Sequence, residues 1–278
     1  MSVAIVVPNL NQGRFLGAAL DSIRGTKVAA LCAVLDGGSV DGSRDLIEQR
    51  GSELAYWRSG TDGGQAAAIN EGVSQLCRAH PDAVEAVGWL NADDVFVDGG
   101  LDRLWQALDE HPDWVAVSGR ASLAAESGAL IGEIPTAPFS PERFARACTI
   151  CQPATLVRRW AWERVGGLDS SLHMCFDYDL WWRLSHCGTI GYLPAVVAAS
   201  RDHGETKTRR HRAHYFREAT DIVRRETGKV PWHWYVSEAI ERQVHYEVGR
   251  RPWMGGRVLA RLTAFPAYVR GNWPRLAG

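Results

Sequence analysis

Two short acidic clusters carry the residue types that could do chemistry in this chain. Asn91-Ala92-Asp93-Asp94 follows the apolar run 86–90, and Asp177-Tyr178-Asp179 lies well downstream, before a tryptophan-rich segment. Carboxylates at a strand end suit a divalent metal ion, because hard cations take oxygen ligands. A separate carboxylate in the same cleft could accept a proton. Together the clusters indicate metal-assisted group transfer.

The segment before residue 119 alternates short apolar runs with stretches of helical apolar spacing. Buried strands are predicted over 3–8, 31–35, 54–57, 84–90 and 114–118. Helices are predicted over 14–24, 41–50, 65–77 and 99–111. Strands and helices that alternate at this spacing predict βαβ units. The expected fold class is therefore α/β, with a Rossmann-like, mostly parallel sheet flanked by helices.

Polar side chains follow four of the predicted strands. They are Asn9 with Asn11, Asp36, Asp62, and Asp93 with Asp94. Ligands bind beyond the carboxyl ends of the strands in such sheets, so one crevice is expected to collect all four loops. Each loop alone also fits a turn or a helix cap. Their convergence is therefore stronger evidence for a binding site than any one motif.

Composition excludes several classes of protein. The chain has 278 residues and a net charge of -1, which gives no overall electrostatic drive toward nucleic acid. No apolar run approaches the roughly 20 residues of a transmembrane helix, and residues 1–3 lack a signal peptide's basic region. Cys148 and Cys151 have CxxC spacing, but no second such pair completes a zinc site. Free thiols in a cytoplasmic protein are predicted.

With these residues in place, the chain resembles a family 2 glycosyltransferase of the GT-A fold, of the type that builds bacterial cell-surface and envelope polysaccharides. The resemblance covers roughly residues 1–210, about three quarters of the chain. It rests on the order and spacing of short motifs: residues 6–11, 36–43, 62–72, 89–94, 152–155, 166–169, 177–180 and 201–203.

The resemblance implies an inverting transfer from a nucleotide-sugar donor, with UDP as the default nucleotide. Asp93 would be the principal ligand of Mn²⁺ or Mg²⁺, and His203 would complete the metal or diphosphate site. Asp177 would be the catalytic base, with Asp94 and Asp179 as supporting acids. Donor-binding residues would be Pro8, Asn9, Asn11, Asp36, Asp62, Gln65, Asn70, Asn91, Ala92, Asp93 and Lys207, with Arg209 or Arg210 also closing over the phosphates.

Four positions depart from the family pattern. Asn91 stands where the metal-binding motif often begins with Asp, so Asp93 must carry more of the coordination. Phe176 replaces the Glu that is common before the base. Ala67 and Glu71 stand where many relatives have Asp and Lys, which affects the donor-sugar contacts and not the fold.

The resemblance also sets the predicted domains. Residues 1–210 would form the GT-A catalytic domain, with a nucleotide-sugar half over 1–118 and an acceptor half over 119–210. Residues 211–278 would form a C-terminal helical extension. This extension mixes arginines with Trp232, Trp234, Trp253 and Trp273, which suits either a membrane interface or packing on the core or another subunit.

Two other functions remain open from the sequence. A sugar-phosphate nucleotidyltransferase would also use a nucleotide, a metal and a parallel sheet, but the N-terminus lacks a Gly-rich, basic phosphate loop. A catalytically degenerate sugar-nucleotide-binding subunit is the second, on the evidence of Asn91 and Ala67. The expected partners are the nucleotide sugar and a glycan or lipid-linked acceptor, with no nucleic acid. Peripheral contact with the inner face of the cytoplasmic membrane and homo-oligomerisation are left open.

Overall fold

The computed structural model describes residues 2–204, 206–207, 211–246 and 254–272. The chain divides into two compact units. The first unit comprises Met1–Phe139 and Thr149–His203, and the second comprises Ser140–Cys148 and Gly204–Gly278. The domain boundary at residue 210 stays a prediction. That residues 140–148 belong with the C-terminal helices was not foreseen from the sequence.

The first unit is built on one sheet, in which nine strands lie within the described residues. The strands are β1 Ser2–Asn9, β2 Ala29–Asp36, β3 Tyr56–Ser59, β4 Val84–Trp89, β5 Val95–Phe96, β6 Trp114–Ala125, β7 Leu130–Ile134, β8 Thr155–Arg158 and β9 Thr189–Asp202. Their order across the sheet is β3-β2-β1-β4-β8-β6-β9-β5, with β7 paired to β6.

The sheet is parallel on one side and mixed on the other. Strands β3, β2, β1 and β4 run parallel to one another. Strand β8 is antiparallel to both β4 and β6, while β9 runs parallel to β6 and antiparallel to β5. The predicted α/β class is confirmed, with parallel pairing among the first four neighbouring strands and again between β6 and β9.

Helices accompany the sheet and form the second unit. Those of the first unit are α1 Gly13–Arg24, α2 Ser43–Gln49, α3 Gln65–Ala79, α4 Gly100–Glu110, α6 Arg159–Val165 and α7 Phe176–Ser185. Those described in the second unit are α5 Pro141–Phe144, α8 Arg212–Thr227, α9 Trp232–Tyr246 and α10 Met254–Asn272. Short 3-10 turns lie at Gly51–Glu53 and Gln152–Ala154.

Strand β1 forms the centre of the core. All eight of its residues are buried, because β2 and β4 cover its edges and helices cover its faces. A strand covered in this way reads as a continuous apolar run, which is why residues 3–8 were recognisable. Helix α1 contributes a buried face spaced at three and four residues, formed by Phe15, Leu16, Ala19, Leu20 and Ile23.

The second unit is held by aromatic packing and by hydrogen bonds to the segment 140–148. Trp234 on α9 donates its indole N–H to the carbonyl of Ala145 at 2.8 Å. His233 makes a hydrogen bond of 2.7 Å to the carbonyl of Arg146. None of the described helices combines the length and the apolar character needed to cross a bilayer.

All six cysteines carry free thiols, as predicted. Cys32 lies in the core, where burial raises the pKa of its thiol to about 12. Burial also raises the pKa of the Cys77 thiol. These buried thiols are therefore packing residues with little nucleophilic character at neutral pH.

Helix α3 packs so closely on the sheet that Gly72 has no room for a side chain. A Cβ atom there would lie 2.6 Å from Leu35 Cδ2 and 2.7 Å from Val6 Cγ1. We expect Gly72→Ala to lower the free energy of unfolding by about 1–3 kcal/mol, because it forces a stiff core to move. The measurement is denaturant unfolding of the purified chain.

Gly17→Ala on α1 is the matched control, because a Cβ atom there meets nothing within 4 Å. This change should leave stability unchanged or raise it by up to about 1 kcal/mol, since Gly is a poor helix former. If Gly72→Ala proved as stable as the unaltered chain, the close contact of α3 with β1 and β2 would be wrong.

Candidate active site

Asp93 and His203 meet beyond the carboxyl end of β4. The Oδ2 atom of Asp93 lies 2.9 Å from Nε2 of His203, although the two residues are 110 positions apart. The imidazole is fully buried, whereas 18% of the Asp93 side chain is exposed. A carboxylate oxygen and an imidazole nitrogen side by side, one of them open to solvent, form the most metal-like pair among the predicted site residues.

The pairing of β5 with β9 brings these residues together. Val95 pairs with Ala199 and Phe96 with Ala198 in an antiparallel register. Continuing that register by two residues sets the Asp93 loop beside Arg201, and His203 follows two residues further along the chain. Phe15 on α1 packs against the imidazole, with 5.1 Å between the ring centroids. The histidine ring is therefore held in one place by β9 on one side and α1 on the other.

Arg201 ties the acidic loop to β9. Its backbone N–H donates to Asp94 Oδ1 at 3.0 Å, and its Nε atom donates to the Asp93 carbonyl at 3.1 Å. Its Nη1 atom donates to the Glu126 carbonyl at 2.7 Å, and its guanidinium lies 4.6 Å from the centre of the Phe15 ring. Arg201 is thus a positioning residue for Asp93. The sequence motif 201–203 includes Arg201, but this role was not predicted from it.

Asp94 faces the protein interior. It is 3% exposed and accepts hydrogen bonds from Arg201 and from Nδ2 of Asn91, the latter at 3.1 Å. Burial, together with the adjacent Asp93 carboxylate, raises the pKa of Asp94 to about 7. The two neighbouring acids therefore differ: Asp93 is partly open to solvent, and Asp94 is held by the loop itself.

Asn91 is engaged on every side by its neighbours. Its carbonyl oxygen accepts from Nε2 of Gln65 at 2.8 Å, and its amide nitrogen also donates to Oε1 of Gln152 at 3.2 Å. Gln152 in turn donates to the Trp89 carbonyl at 2.6 Å. The amide network links β4, α3 and the turn Gln152–Ala154, so Asn91 and Gln65 organise the loop that carries Asp93. Ala92 is buried at 2% exposure.

Asp36 is the hub of the loops that follow β1 and β2. Its carboxylate is fully buried and accepts from Asn9 at 2.7 Å, from Ser59 at 2.6 Å, and from the hydroxyl of Ser39. The backbone N–H groups of Gly38 and Ser39 donate to its Oδ2 atom at 3.2 and 3.1 Å. Burial acts to raise the pKa of Asp36, but these hydrogen bonds outweigh it and hold the pKa below its ordinary value.

The β1 loop is bound to the β2 loop through Asn9 and Asn11. The Asn11 N–H donates to Ser39 Oγ at 2.8 Å, and Asn11 Oδ1 accepts from the Val40 N–H at 2.9 Å. Asn11 has a φ of 53°, a left-handed conformation that Asn tolerates better than most residues. Pro8 pairs with Leu35 within the sheet. The Oδ1 atom of Asn9 is buried with no hydrogen-bond partner among the described residues.

Asp62 and Asn70 have structural partners. Asp62 Oδ1 accepts from the Gly64 N–H at 2.8 Å, just before α3 begins. Asn70 donates to the Leu168 carbonyl at 2.8 Å and accepts from the Leu168 N–H at 2.9 Å, so it pins α3 to the segment 166–170. The sequence predicted donor contacts for both residues. Their contact with a donor stays a prediction, whereas their internal hydrogen bonds are observed.

Glu71, which stands where many relatives have Lys, is matched by Arg58 on β3. Nε and Nη2 of Arg58 donate to the two carboxylate oxygens of Glu71 at 2.7 Å each. Arg58 also donates to the carbonyls of Asp36 and Gly60 at 3.3 and 3.1 Å. The bidentate pair holds the pKa of Glu71 below its usual range. The positive charge at the β2–β3 edge of the site thus comes from Arg58 on β3 and not from a residue of α3. The sequence did not predict this.

Asp177 lies in the first turn of α7, which packs against the end of β4. Trp89 stacks on Trp181 with 5.9 Å between ring centroids, and lies 6.5 Å from Phe176 by the same measure. Asp177 Oδ1 accepts from the Tyr178 N–H at 2.7 Å. Asp179 is buried and forms an ion pair of 2.6 Å with Arg183. Phe176, the residue that replaces the usual Glu, therefore serves the contact between α7 and β4.

Lys207 lies in the second unit, where its carbonyl accepts from the His211 N–H at 3.0 Å. Its contact with a donor stays a prediction. Arg209, Arg210, Trp253 and Trp273, which the sequence also singled out, lie outside the described residues.

The fold and the site together define a class of protein. It is an α/β protein in which polar loops at the strand ends lie beside an acid and a histidine. Solved structures share this fold. TarS 1–349 of S. aureus, in complex with UDP-GlcNAc, matches 99% of this chain and 83% of its own length, with 13% identity and a TM-score of 0.65. The mannosyltransferase PcManGT of Pyrobaculum calidifontis, in complex with GDP-Man and Mn²⁺, matches 98% and 87%, with 16% identity and a TM-score of 0.59. The fold is GT-A, as predicted.

Residues 4–131 match the family model described as glycosyl transferase family 2. Uncharacterized glycosyltransferases of Rickettsia typhi and Rickettsia prowazekii are each 23% identical over 220 residues, which is 74% of this chain. The chain spans 65% of the length of these two relatives. These matches support the recognition of a family 2 glycosyltransferase that was made from the sequence.

The Asp93 and His203 pair offers a carboxylate oxygen and an imidazole nitrogen, which are donor types that a divalent cation takes. No group of three or more His, Cys, Asp or Glu side chains suited to a metal occurs within the described part of the chain. Mn²⁺ and Mg²⁺ sites that handle phosphates commonly take only one or two protein ligands and complete their shell with substrate oxygens and water. The donor set of one carboxylate and one imidazole is consistent with such a site.

The hub role of Asp36 gives a prediction for stability. Asp36→Asn should lower the free energy of unfolding by about 1–3 kcal/mol at pH 7, because an amide cannot satisfy the same buried donors. A carboxylate with a lowered folded pKa stabilises above its unfolded pKa, near 3.8, and loses this effect as the pH falls through the folded pKa. The deficit should therefore stay constant from pH 7 to about pH 5 and shrink below about pH 4.

Denaturant unfolding at several pH values measures this deficit, with Asp82→Asn at an exposed carboxylate as the control. A variant with full stability at pH 7, or a deficit that grows as the pH falls below 4, would contradict the hub role of Asp36.

Proposed function

We propose that this protein is an inverting, metal-dependent glycosyltransferase that moves a sugar from a UDP-sugar to a hydroxyl group of a glycan or a lipid-linked saccharide. The observation that carries the proposal is the contact of Asp93 with His203 at 2.9 Å, beyond the carboxyl end of β4. In α/β sheets this edge is where ligands bind. The complexes of TarS with UDP-GlcNAc and of PcManGT with GDP-Man and Mn²⁺ support a nucleotide-sugar donor and a divalent metal.

The donor nucleotide would lie against the loops after β1, β2 and β3. The buried Oδ1 atom of Asn9 supports this, because a buried acceptor without a partner is costly and an N–H group of a base would satisfy it. Asp36 would hold the loop against which the nucleotide lies. The remaining side chains around the donor site would come from Asn11, Asp62, Gln65 and Asn70. Pro8 and Ala92 would contribute backbone contacts, while Lys207 would reach the diphosphate.

Asp93 and His203 would hold Mn²⁺ or Mg²⁺, with Asn91 and Asp94 fixing the loop behind Asp93. When bound, the cation would neutralise negative charge that develops on the departing diphosphate. Arg201 keeps Asp93 in place through hydrogen bonds at its carbonyl and at the next residue. The role of these residues is thus to bind and orient the diphosphate end of the donor.

Asp177 would act as the general base. The acceptor oxygen forms a bond to the anomeric carbon on the face opposite the diphosphate, and the bond from that carbon to the diphosphate breaks. The electron pair leaves with the nucleoside diphosphate, and the hydroxyl proton passes to a carboxylate oxygen of Asp177. The anomeric configuration inverts because attack and departure occur on opposite faces. Asp179, paired with Arg183, would support the helix that presents the base.

The metal role of Asp93 is tested by ligand binding. UDP, GDP and dTDP are screened with and without Mn²⁺ by thermal shift, since a ligand that binds only the folded state raises its apparent stability. We expect a nucleotide whose stabilising effect grows with Mn²⁺ in the unaltered chain. Asp93→Asn should lose this Mn²⁺-dependent increment.

Asp98→Asn is the matched control for Asp93, because Asp98 is exposed a few residues further along the same segment. It should keep the full increment. An unchanged increment in Asp93→Asn would remove Asp93 from the metal site.

The base is tested by a separation of binding from transfer. Asp177→Asn should bind the donor as the unaltered chain does but transfer sugar about 10²–10⁴-fold more slowly, the usual cost of losing a positioned base. Release of nucleoside diphosphate from the nucleotide sugar in the presence of acceptor measures the rate. Glu163→Gln on α6 controls for the loss of one acidic side chain.

Transfer by Asp177→Asn at a rate near that of the unaltered chain would refute the assignment. The same reaction separates the alternatives that the sequence left open. Pyrophosphate release from a nucleoside triphosphate and a sugar phosphate would favour a nucleotidyltransferase. Donor binding without turnover by the unaltered chain would favour a degenerate binding subunit.

A further inference from the structure

Helix α10 docks on α9 by one face. Tyr268 packs against Trp232 and Tyr235, with 5.1 and 5.6 Å between ring centroids. Ala264 is 3% exposed, and a Cβ atom at Gly271 would lie 2.0 Å from the Tyr235 hydroxyl. Asn272 fixes the end of the helix, because its Oδ1 atom accepts from the Val230 N–H at 2.7 Å. Residues 264, 268 and 271, spaced at four and three, therefore form the packed face.

Beside its packed face, α10 exposes large apolar side chains. Leu262 is 66% exposed, and Phe265 is 60% exposed although its ring also meets Trp232 on α9 edge-to-face, with 6.3 Å between ring centroids. These residues are three positions apart, so they lie on the same face of the helix, and the half-buried Val269 follows on that face four positions after Phe265. Single exposed apolar residues are ordinary on protein surfaces, but an apolar stripe along one helix indicates an interaction surface.

The charges on α10 are all positive. At about 100° per residue, Arg261 and Arg270 fall on opposite sides of the stripe of Leu262 and Phe265. Both arginines are exposed, and neither forms an ion pair among the described residues. No Asp or Glu occurs between residues 254 and 272. Arginines on α8, by contrast, have acidic partners, as in the pairs of Arg212 with Glu241 and of Arg224 with Asp221.

We propose that this face of α10 binds the surface of an anionic lipid bilayer. Leu262, Phe265 and Val269 would enter the boundary between headgroups and acyl chains, while Arg261 and Arg270 would contact lipid phosphates on either side. A helix with an apolar stripe between basic residues lies in the plane of the interface and does not span the bilayer. Anionic headgroups supply the negative charge that the helix lacks.

A second copy of the chain is the less suitable occupant. A two-fold interface brings the same patch of both subunits together, so it would bring the arginines of the two patches near one another with no acid on α10 to compensate. The bilayer proposal goes beyond the proposed function, because binding requires neither donor nor acceptor. It stands or falls separately from sugar transfer.

The experiment is flotation of the full chain with vesicles of phosphatidylglycerol and, in parallel, of phosphatidylcholine. We expect binding to the anionic vesicles that weakens as salt is added, and little binding to the zwitterionic ones. Leu262→Ser with Phe265→Ser should weaken binding to the anionic vesicles about tenfold or more. Arg261→Gln with Arg270→Gln should weaken it by about tenfold as well.

Matched controls change the same chemistry elsewhere on the chain. Leu130→Ser with Ile131→Ser removes two apolar side chains that are 67% and 58% exposed on β7. Arg24→Gln with Arg44→Gln removes two positive charges from the first unit. Both control pairs should bind as the unaltered chain does, and circular dichroism should give the same helix content and melting temperature for all four variants.

Three results would overturn the proposal. The first is absence of binding by the unaltered chain, or equal binding to both kinds of vesicle. The second is a control pair that loses as much binding as its matched α10 pair. The third is light scattering that gives a dimer in the unaltered chain and a monomer for Leu262→Ser with Phe265→Ser, which would make the face a subunit interface.

Discussion

The antiparallel pairing of β5 with β9 is the constraint on which the candidate site depends. Strand β5 consists of Val95 and Phe96 alone, yet its register on Ala199 and Ala198 decides where the preceding acidic loop lies. Strand β9 is itself anchored along β6 by a long parallel pairing. The pairing of the strands therefore sets the position of Asp93 relative to His203, although the two residues are 110 positions apart in the sequence.

The same pairing explains how two adjacent acids are accommodated. Two neighbouring carboxylates repel each other, and the cost rises when one of them is buried. Hydrogen bonds offset this repulsion. Arg201 on β9 donates to Asp94 and to the backbone carbonyl of Asp93, and Asn91, just after β4, donates to Asp94. Both Asp94 oxygens accept these hydrogen bonds, which lower its pKa, but burial and the Asp93 carboxylate outweigh them and raise the pKa to about 7. Asp93 keeps solvent-exposed surface, as its proposed metal role requires.

Much of the fold was predictable from the sequence because its signals are local. An unbroken apolar run predicts strand β1, and apolar residues at helical spacing predict α1. The short strands β5 and β8 were missed, because two to four residues carry no periodicity and their pairing depends on distant partners. The contact of Asp93 with His203 followed from the family resemblance and not from spacing. Arg58 was missed for the same reason as β8: its partner Glu71 is set by how β3 packs beside α3.

The polar residues of the site divide by how many of their hydrogen bonds the protein itself supplies. A carboxylate offers about four acceptor positions, and five donors converge on Asp36, so this residue has little capacity left for a ligand. Asn91 and Asn70 are similarly engaged on both sides of their amides. By contrast, Asn9 retains an unpaired buried oxygen, and Asp93 retains exposure.

A sequence motif alone cannot separate these two groups, because an amide or a carboxylate after a strand looks the same whether it holds a loop or faces a ligand. The residues with spare hydrogen-bonding capacity are the ones that a ligand can still engage. The saturated residues hold them within reach of one another, so a bound ligand would meet loops that are already ordered and would lose less binding energy to ordering them.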